Sequence, residues 1–459
     1  MRKNQTRAGL GFFVVSALSV GALSFGATAC DFVAGGKELD LAYCQAHPAE
    51  PACADYCTTH SGAGCPDGRP AVDAPTSCTS NVECSGAARV CDVAGTNACV
   101  LCTATDHAAC TGVTPVCSDD KAACRACVAD AECDSGVCRD DGSCAAAANV
   151  IYASPAGSST TCAQAAPCNL TTAMGKVSAT LNVLHLAPGM YAYTTPSTLD
   201  FNKDVTVVGR GATLDRQAAG NGATATISGG ATVTFELVAL TGGDGFLTGN
   251  GVSCTGTGHV ILKRANVAGN ARIGVDAGVC DATIANSTVT ANKGGGVLVA
   301  GGTFKITNTF VMDNGDASGG GSDFGGVQLS SSSTGNVFEQ NTVFSNHKKL
   351  TGVGSPGVVC TVATLTAARN IITRNNEDTA YPAQTAGVCA FAGSFTEPGV
   401  GPNDLKFVRV AAPLDLHLTA ASPATVRDVA GVTACSGPDI DGDLRPQVGL
   451  CDFGADEYK

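Results

Sequence analysis

Tryptophan is absent from this 459-residue sequence, and aromatic residues make up only 5% of it. Aromatic rings supply the flat, half-apolar platforms on which sugars stack, so a long glycan groove is disfavoured. Charge is also scarce, with Asp, Glu, Lys and Arg together at 15%. Long solvent-facing helices draw on Glu, Lys, Ala and Leu. The polar residues here are mostly Ser, Thr, Asn and Gly, which suit short strands and many turns. Positive charge is scarcest: 27 basic residues stand against 40 acidic ones, a formal net charge of −13. That balance excludes nucleic acid and anionic membrane surfaces as electrostatic partners. After the N-terminal stretch no apolar run is long enough to cross a bilayer. What is present is a hydrophobic fraction of 44%, 57 glycines and 25 cysteines. The first argues for a sizeable core rather than disorder. Cysteine at this density belongs to exported proteins, and an odd count needs an explanation. The length allows two or three domains.

The N-terminus supplies the address. Arg2, Lys3 and Arg7 form a basic segment, Leu10 to Phe25 is apolar, and Ala27-Thr28-Ala29 leads to Cys30. This order describes a leader over residues 1–29. Small residues before a Cys resemble the lipobox of bacterial lipoproteins. The resemblance implies that Cys30 becomes the mature N-terminus and carries lipid, holding the protein on a membrane that it does not span. The family usually has Leu where this chain has Ala27, and Ala27-x-Ala29 also suits ordinary signal peptidase, which would leave a secreted chain. Setting Cys30 aside leaves 24 cysteines, an even number.

Sixteen cysteines fall between Cys44 and Cys144, in groups of four. The first group (44, 53, 57, 65) lies in a tether over residues 30–77. The others (78, 84, 91, 99; 102, 110, 117, 124; 127, 133, 138, 144) form a repeat over 78–148, their starts 24 and 25 residues apart. Units this small and polar have no core of their own and depend on cross-links. Four cysteines allow three pairings, and spacing alone does not choose. Cys99-x-x-Cys102 and Cys124-x-x-Cys127 have the spacing of zinc knuckles. Each, however, joins the end of one unit to the start of the next, and export favours disulfides. The segment resembles cysteine-rich stalk modules of exported lipoproteins of Gram-negative bacteria. That implies the outer membrane or cell surface as its place.

From residue 149 the pattern changes. Val150-Ile-Tyr152 and Val183–Leu186 read as strands, with a helix starting near Asn169 or Thr171 between them. Cys162 and Cys168 are close enough to close a small loop. Residues 149–211 form an N-terminal cap and first coils, and 212–419 the coils themselves. Gly-Val pairs recur with Val252, Val279, Val297, Val327, Val358 and Val388, spaced by 27, 18, 30, 31 and 30 residues. Asn-flanked strands follow: Asn286 to Asn292, Asn308 to Asn314, Asn341 to Asn346 and Asn370 to Asn375. Repeats of this length are those of a solenoid. Stacked coils place like residues about 4.8 Å apart, so Asn over Asn can share hydrogen bonds. The same register places Cys254 over Cys280 and Cys360 over Cys389, within disulfide reach. The expected fold is all-β, a parallel β-helix preceded by a disulfide-rich segment of small modules.

The order strand, helix, strand and Ala187-Pro188-Gly189-Met190-Tyr191 turn resembles the opening of right-handed parallel β-helices of the pectate-lyase-like superfamily. That resemblance implies a helix plugging the open end and, in many members, action on acidic polysaccharides. The coils contain no Asn-Thr-Asp, Asp-Asp or Gly-His-Gly signature. Lys263, Arg264 and Arg272 could line one face with Asp276 and Asp281, although a surface charge cluster accounts for them as well. His259 reads as an exposed strand residue. Asp313, Asp316 and Asp323 fall in a Gly-rich insertion where turns use Asp. No catalytic residue is assigned.

The last forty residues, from Ala420-Ala-Ser422-Pro423 through Asp439-Ile-Asp441-Gly442-Asp443-Leu-Arg445-Pro446 to Asp452-Phe-Gly454-Ala-Asp-Glu457-Tyr458, resemble the tail of bacterial choice-of-anchor Q surface proteins. The resemblance implies a terminal role, here a closing cap over 420–459, with Cys435 and Cys451 paired. Asp439, Asp441 and Asp443 alternate as calcium ligands do, without the later ligands of an EF-hand; a polar capping turn is the alternative. The sequence therefore leads to an exported, lipid-anchored, monomeric surface protein with a non-catalytic binding, adhesive or structural role. Its partners would be a membrane, through the anchor, and a glycan or surface protein, with no cofactor except calcium under the first reading of the tail. The alternative is a polysaccharide lyase or glycoside hydrolase acting on an acidic polysaccharide.

Overall fold

The structure is a computed structural model. It describes residues 77–459, except 86–87, 194–198, 218–220, 246, 316–323, 349–354, 363, 378–380, 398–400, 402, 432–434, 436 and 448, together with the strand pair Val33–Ala34 and Lys37–Glu38. The leader, Cys30, the cysteines from 44 to 65, Asp316 and Asp323 lie outside the described residues. The chain divides into two compact units, 1–100 and 101–459. In the first, Cys78 bonds Cys91 and Cys84 bonds Cys99, and the strands Val90–Cys91 and Cys99–Val100 pair antiparallel.

The second unit opens with two more cysteine modules. Cys102 bonds Cys117 and Cys110 bonds Cys124; Cys127 bonds Cys138 and Cys133 bonds Cys144. All three described modules thus share one connectivity, first to third and second to fourth. All twelve of these sulfurs are disulfide-bonded, so none is a thiolate for zinc. The expected boundary at residue 148 is not where the chain divides. Val137 and Ala145 bury themselves against Val150, Tyr152, Val183 and Val208, and the Tyr152 hydroxyl donates to the Ser135 carbonyl at 2.6 Å. This apolar contact fuses the last cysteine module to the first coils.

The rest is a parallel β-helix with three faces. Face A is an eight-stranded sheet running from Leu199–Phe201 to Thr385–Gly387. Faces B and C are the two limbs of a fifteen-stranded sheet, joined where Val205–Asp215 and Thr232–Thr241 run through both. Every strand pair within the coils is parallel, as in Val252 with Val275 on face A, Val260 with Ala282 on face B, and Val289 with Val311 on face C. Period-two alternation sends one side inward. Leu214, Leu240, Val267, Val289, Val311, Val343 and Ile372 form one such column, each paired with the next through its strand and all fully buried.

The corners explain the Asn pattern. Between faces B and C the backbone turns through a left-handed residue in each coil: Leu237, Arg264, Asn286, Asn308, Gln340 and Arg369. At the far edge of face C it does so again at Gly269, Ala291, Asp313, Ser345 and Arg374. The residue after this second corner is Asn270, Asn292, Asn314, Asn346 or Asn375, each fully buried. Asn292 Nδ2 donates to Asn314 Oδ1 at 2.9 Å, Asn314 to Asn346 at 2.9 Å, and Asn346 to Asn375 at 2.8 Å. Gln384 Oε1 ends the ladder, accepting from Asn375. A second, shorter ladder after the first corner runs from Asn341 through Asn370 to Ser394.

The Gly-Val pairs belong to this ladder. A Cβ on Gly274 would lie 2.6 Å from the Asn292 amide nitrogen, and one on Gly326 2.6 Å from the Gly357 carbonyl oxygen and 2.8 Å from Val343. The expected register needs correcting at two points. Val252 pairs with Val275, not Val279, and Val358 pairs with Thr385, not Val388. Val279 and Val388 are 60% and 75% exposed, in turns that follow the strands. The uneven 27- and 18-residue steps vanish once Gly274-Val275 takes its place. Cys254–Cys280 and Cys360–Cys389 are bonded, with Cα atoms 6.1 and 5.6 Å apart, but each joins a strand end to the turn of the next coil rather than like positions. Cys162–Cys168 and Cys435–Cys451 are bonded as well.

Both ends are closed. Asn169 caps the helix Leu170–Lys176 by accepting from the Thr172 amide at 2.8 Å, and Leu170 and Ala173 enter the core of the first coils. At the other end Phe391 meets Phe338 edge-on at 6.2 Å, and the Phe395 amide donates to the Asn370 carbonyl. The C-terminal segment therefore does not serve as the end cap. The coils finish at Thr385–Gly387, and the chain from Phe395 onward lies along the outside of face C. There Phe310, Met312, Phe344 and Ile371, which point outward, are buried under Leu405, Phe407, Leu416, Leu418, Val426 and Phe453. An outward row this apolar needs a cover, and residues 395–459 provide it.

Candidate functional site

The charged residues singled out in the coils do not share one face. Lys263 lies at the outer end of its strand, 3.6 Å from Glu236. Asp281 stands beside His259 across face B, and its Oδ1 accepts the Thr303 amide at 2.7 Å. His259 is half-buried and bonded to Thr283 Oγ1 at 2.9 Å; burial holds its pKa below the usual value. Asp276 is on face A, 3.9 Å from Arg272 and bonded to Asn250 at 3.0 Å, and burial raises its pKa against the pull of Arg272. Asp313 pairs with His347 at 3.6 Å. The topology scatters these groups over three surfaces, so they form no common acid–base constellation.

A buried ionic network went unread in the sequence. Glu236 has a side chain only 1% exposed. Arg139, from the last cysteine module, reaches its Oε1 at 3.0 Å, with Lys263 as a second partner. Asp140 follows, its amide donating to Glu236 and its carboxylate 3.8 Å from Arg264. Burial pushes the Asp140 carboxyl above its ordinary range, opposed by Arg264. The network ties module to coil.

The C-terminal segment holds the densest charge. The Arg445 side chain is fully buried, donating to the Asp452 and Gly454 carbonyls, with Glu457 at 3.5 Å. Burial pushes Asp456 and Glu457 up to about 6 each. Asp439 is also buried and raised. Its Oδ1 accepts the amides of Asp441 and Asp443 at 3.0 and 2.8 Å, and its Oδ2 that of Glu457 at 3.4 Å. Asp443 pairs with Lys459. The three carboxylates each bring an oxygen within 4.8 Å of the others, as a cation would require. Yet Asp439 already accepts three backbone amides and Asp443 is neutralised by Lys459. The residues fit a closed polar turn, and no function is routed through calcium.

One concave site emerges where this segment meets the coils. A cleft of about 410 Å3 opens between face C and the chain around Arg409–His417 and Ile440–Asp441. Its floor comes from the first corner column, Leu237, Arg264 and Asn286, and from the outward residues Asn266, Thr288 and Phe310. Asn266 pairs with Thr288 and Thr288 with Phe310 in successive coils. The opposite wall carries His417, whose Nδ1 lies 2.6 Å from Asp415 and Nε2 3.4 Å from Asp441. Burial opposes protonation of His417, but Asp415, Asp456 and Asp441 outweigh it and raise its pKa. Phe310 meets the imidazole edge-on at 5.4 Å. Arg264 donates to the Asp441 carbonyl at 3.1 Å and Asn286 to the carbonyls of Pro438 and Asp439, so the floor holds the wall in place. In sequence, Asp415-Leu-His417-Leu418 alternates as a strand does; its partner across the cleft lies more than a hundred residues upstream.

One comparison with known proteins, a match to a family model, agrees with this architecture. Residues 250–400 match the family described as right handed beta helix region. The crystal structure of pectate lyase Pel9A is a solved neighbour, with 16% sequence identity and a TM-score of 0.39, covering 68% of this chain and 96% of that one. No curated protein matches the chain. The fold is a right-handed parallel β-helix, preceded by a disulfide-rich region.

Proposed function

We propose that this is an exported surface protein of a Gram-negative bacterium, anchored by lipid on Cys30, whose β-helix has a non-catalytic binding, adhesive or structural role. The observation that carries the reading is the outward lining of face A. Asp200, Thr226, Ser253, Asp276, Leu298, Gln328, Val359 and Ala386 stand there at successive rungs, Asp200 exposed and the others partly so. They offer hydroxyls, an amide, small apolar groups and two carboxylates three rungs apart; Asp276 is 3.9 Å from Arg272, but no second carboxylate of the row joins them to make the cluster that abstraction of a sugar proton or acid–base hydrolysis would need. The C-terminal segment, similar to choice-of-anchor Q tails, is read as a flank cover for face C. The cysteine modules are read as a disulfide-braced spacer beside the anchor.

A polysaccharide lyase or glycoside hydrolase is favoured by one observation, His417 between Asp415 and Asp441 in the cleft. Incubation with pectate, alginate and glycosaminoglycans, with and without calcium, separates the two. The non-catalytic reading expects no unsaturated or shortened product; formation of either from any of these polymers overturns it. For the anchor, Cys30→Ser is expected to move the protein from the membrane fraction to the soluble one.

A further inference from the structure

We infer that the cleft between face C and the C-terminal segment is a binding site for a neutral, hydroxyl-rich sugar unit. This rests on the binding reading above and gives it a place and a ligand class. Its volume, about 410 Å3, falls within the range of small-molecule sites, roughly 300–1,000 Å3. Its floor repeats with the coils, so Asn266 and Thr288 stand one rung apart, about 4.8 Å. That spacing is close to the width of one pyranose ring, and the pair offers an amide and a hydroxyl, each able to donate and accept. Arg409 donors and the Asp415 carboxylate face them from the other wall.

The charges decide the class of ligand. Arg264 is 3.8 Å from Asp140, and the carboxylates of Asp415 and Asp441 stand 2.6 and 3.4 Å from His417, so charged groups of both signs line the cleft and most have partners within the protein. An anion or a cation would meet like charges on the lining, whereas a neutral polyol can use donors and acceptors from both walls. Leu414 and Ile440 supply apolar surface for the C–H faces of a ring. Phe310 is 4% exposed and offers an edge rather than a platform, so recognition depends on hydrogen bonds. Leu237 also lines the cleft, at φ 60° in the corner column that continues through Arg264 and Asn286.

The test is saturation-transfer NMR and calorimetric titration of the full mature chain with galactose, glucose, mannose, fucose and N-acetylglucosamine, with galacturonate as the charged control. At least one neutral sugar is expected to bind saturably. Asn266→Leu and Thr288→Leu, which put a branched side chain into the cleft, should each weaken it by about tenfold or more, as losing a hydrogen-bonded partner does. Thr226→Leu on face A should leave it unchanged. If either cleft variant fails to fold by its melting curve, Arg409→Gln and Asp415→Asn on the opposite wall replace it. Absence of saturable binding by every neutral sugar, binding indifferent to the cleft variants, or tighter binding of galacturonate than of galactose would each overturn the proposal. Attachment to glycans or cells that persists in Thr288→Leu would sink the cleft while sparing the surface-binding role. Unsaturated products would sink the non-catalytic role while sparing sugar recognition.

Discussion

A single asparagine in this fold does the hydrogen bonding of a whole turn. Asn314 is fully buried, yet its amide group is satisfied four times. Oδ1 accepts the Asn292 backbone amide at 3.1 Å and its side-chain amide at 2.9 Å, while Nδ2 donates to Val289 O at 2.8 Å and Asn346 Oδ1 at 2.9 Å. Alanine there would strand several buried polar groups, each costing about 1–3 kcal/mol. Asn314→Ala is therefore expected to lower the unfolding free energy by about 3 kcal/mol or more in a urea titration; a loss below about 1 kcal/mol would contradict the ladder. The glycine beside the ladder is constrained from the other side. In Gly326→Ala the new methyl would meet the Gly357 carbonyl oxygen at 2.6 Å, and backbone has little room to give. A destabilisation of about 1–3 kcal/mol is expected on the same titration. Both residue types were visible in the sequence as a recurring Gly-Val and Asn, because a ladder repeats its chemistry once per coil. What misled was Gly278-Val279 and Gly387-Val388, which repeat the dipeptide for another reason. Gly278 and Gly387 take φ of 55° and 106° at the last position of their strands, where the chain leaves for a turn, and dipeptide identity does not distinguish a strand-end glycine from a packing one at a strand start.

The C-terminal segment is the element whose stability should respond most to pH. Asp456 and Glu457 titrate near 6 in the folded chain, against roughly 3.9 and 4.3 when unfolded. Between about pH 4 and 6 the folded state then binds more protons than the unfolded one, so stability rises as pH falls through this window and is lost as pH climbs past 6. His417, raised by its carboxylate neighbours, acts in the same direction. Amides of residues 405–458 should exchange more slowly at pH 5.5 than at pH 7.5 after correction for intrinsic rates. Asp456→Asn with Glu457→Gln should flatten that dependence, and an unchanged profile would refute the assignment. A closed turn at Asp439–Asp443 also expects chelation to leave the melting temperature of the whole chain unmoved. A fall on adding EDTA, reversed by calcium, would restore the metal reading. The motif itself was legible, but its place was not: sequence order put it last and suggested an end cap. The outward apolar residues Phe310, Met312, Phe344 and Ile371 were the missing clue. They read as core until the register shows that Val311, Val343 and Ile372 are the residues pointing in.

At the level of the whole second unit, the coils and the cysteine modules behave as one body because of a few long-range contacts. The solenoid could be read from periodicity, since each coil repeats its neighbour. Arg139 and Glu236 are 97 residues apart, and nothing local marks them as partners. That pair also makes the sharpest test of how module and solenoid are joined. Glu236 is buried, so deleting Arg139 leaves its charge with Lys263, at 3.6 Å, as the remaining ion-pair partner. Breaking a buried pair from one side commonly costs about 3–5 kcal/mol, whereas replacing both partners by apolar groups costs much less. Arg139→Met is expected to loosen the module, seen as faster hydrogen exchange at residues 127–144 and earlier proteolysis there. Arg139→Met with Glu236→Leu should recover most of the protection, though Lys263 then loses its partner and keeps the recovery partial. If the single variant leaves exchange unchanged, the ion pair is incidental and the apolar contact of Val137 and Ala145 with Tyr152 and Val208 holds the module alone. If the double variant is worse than the single, the network acts through Lys263 and Arg264 rather than through the Arg139–Glu236 pair.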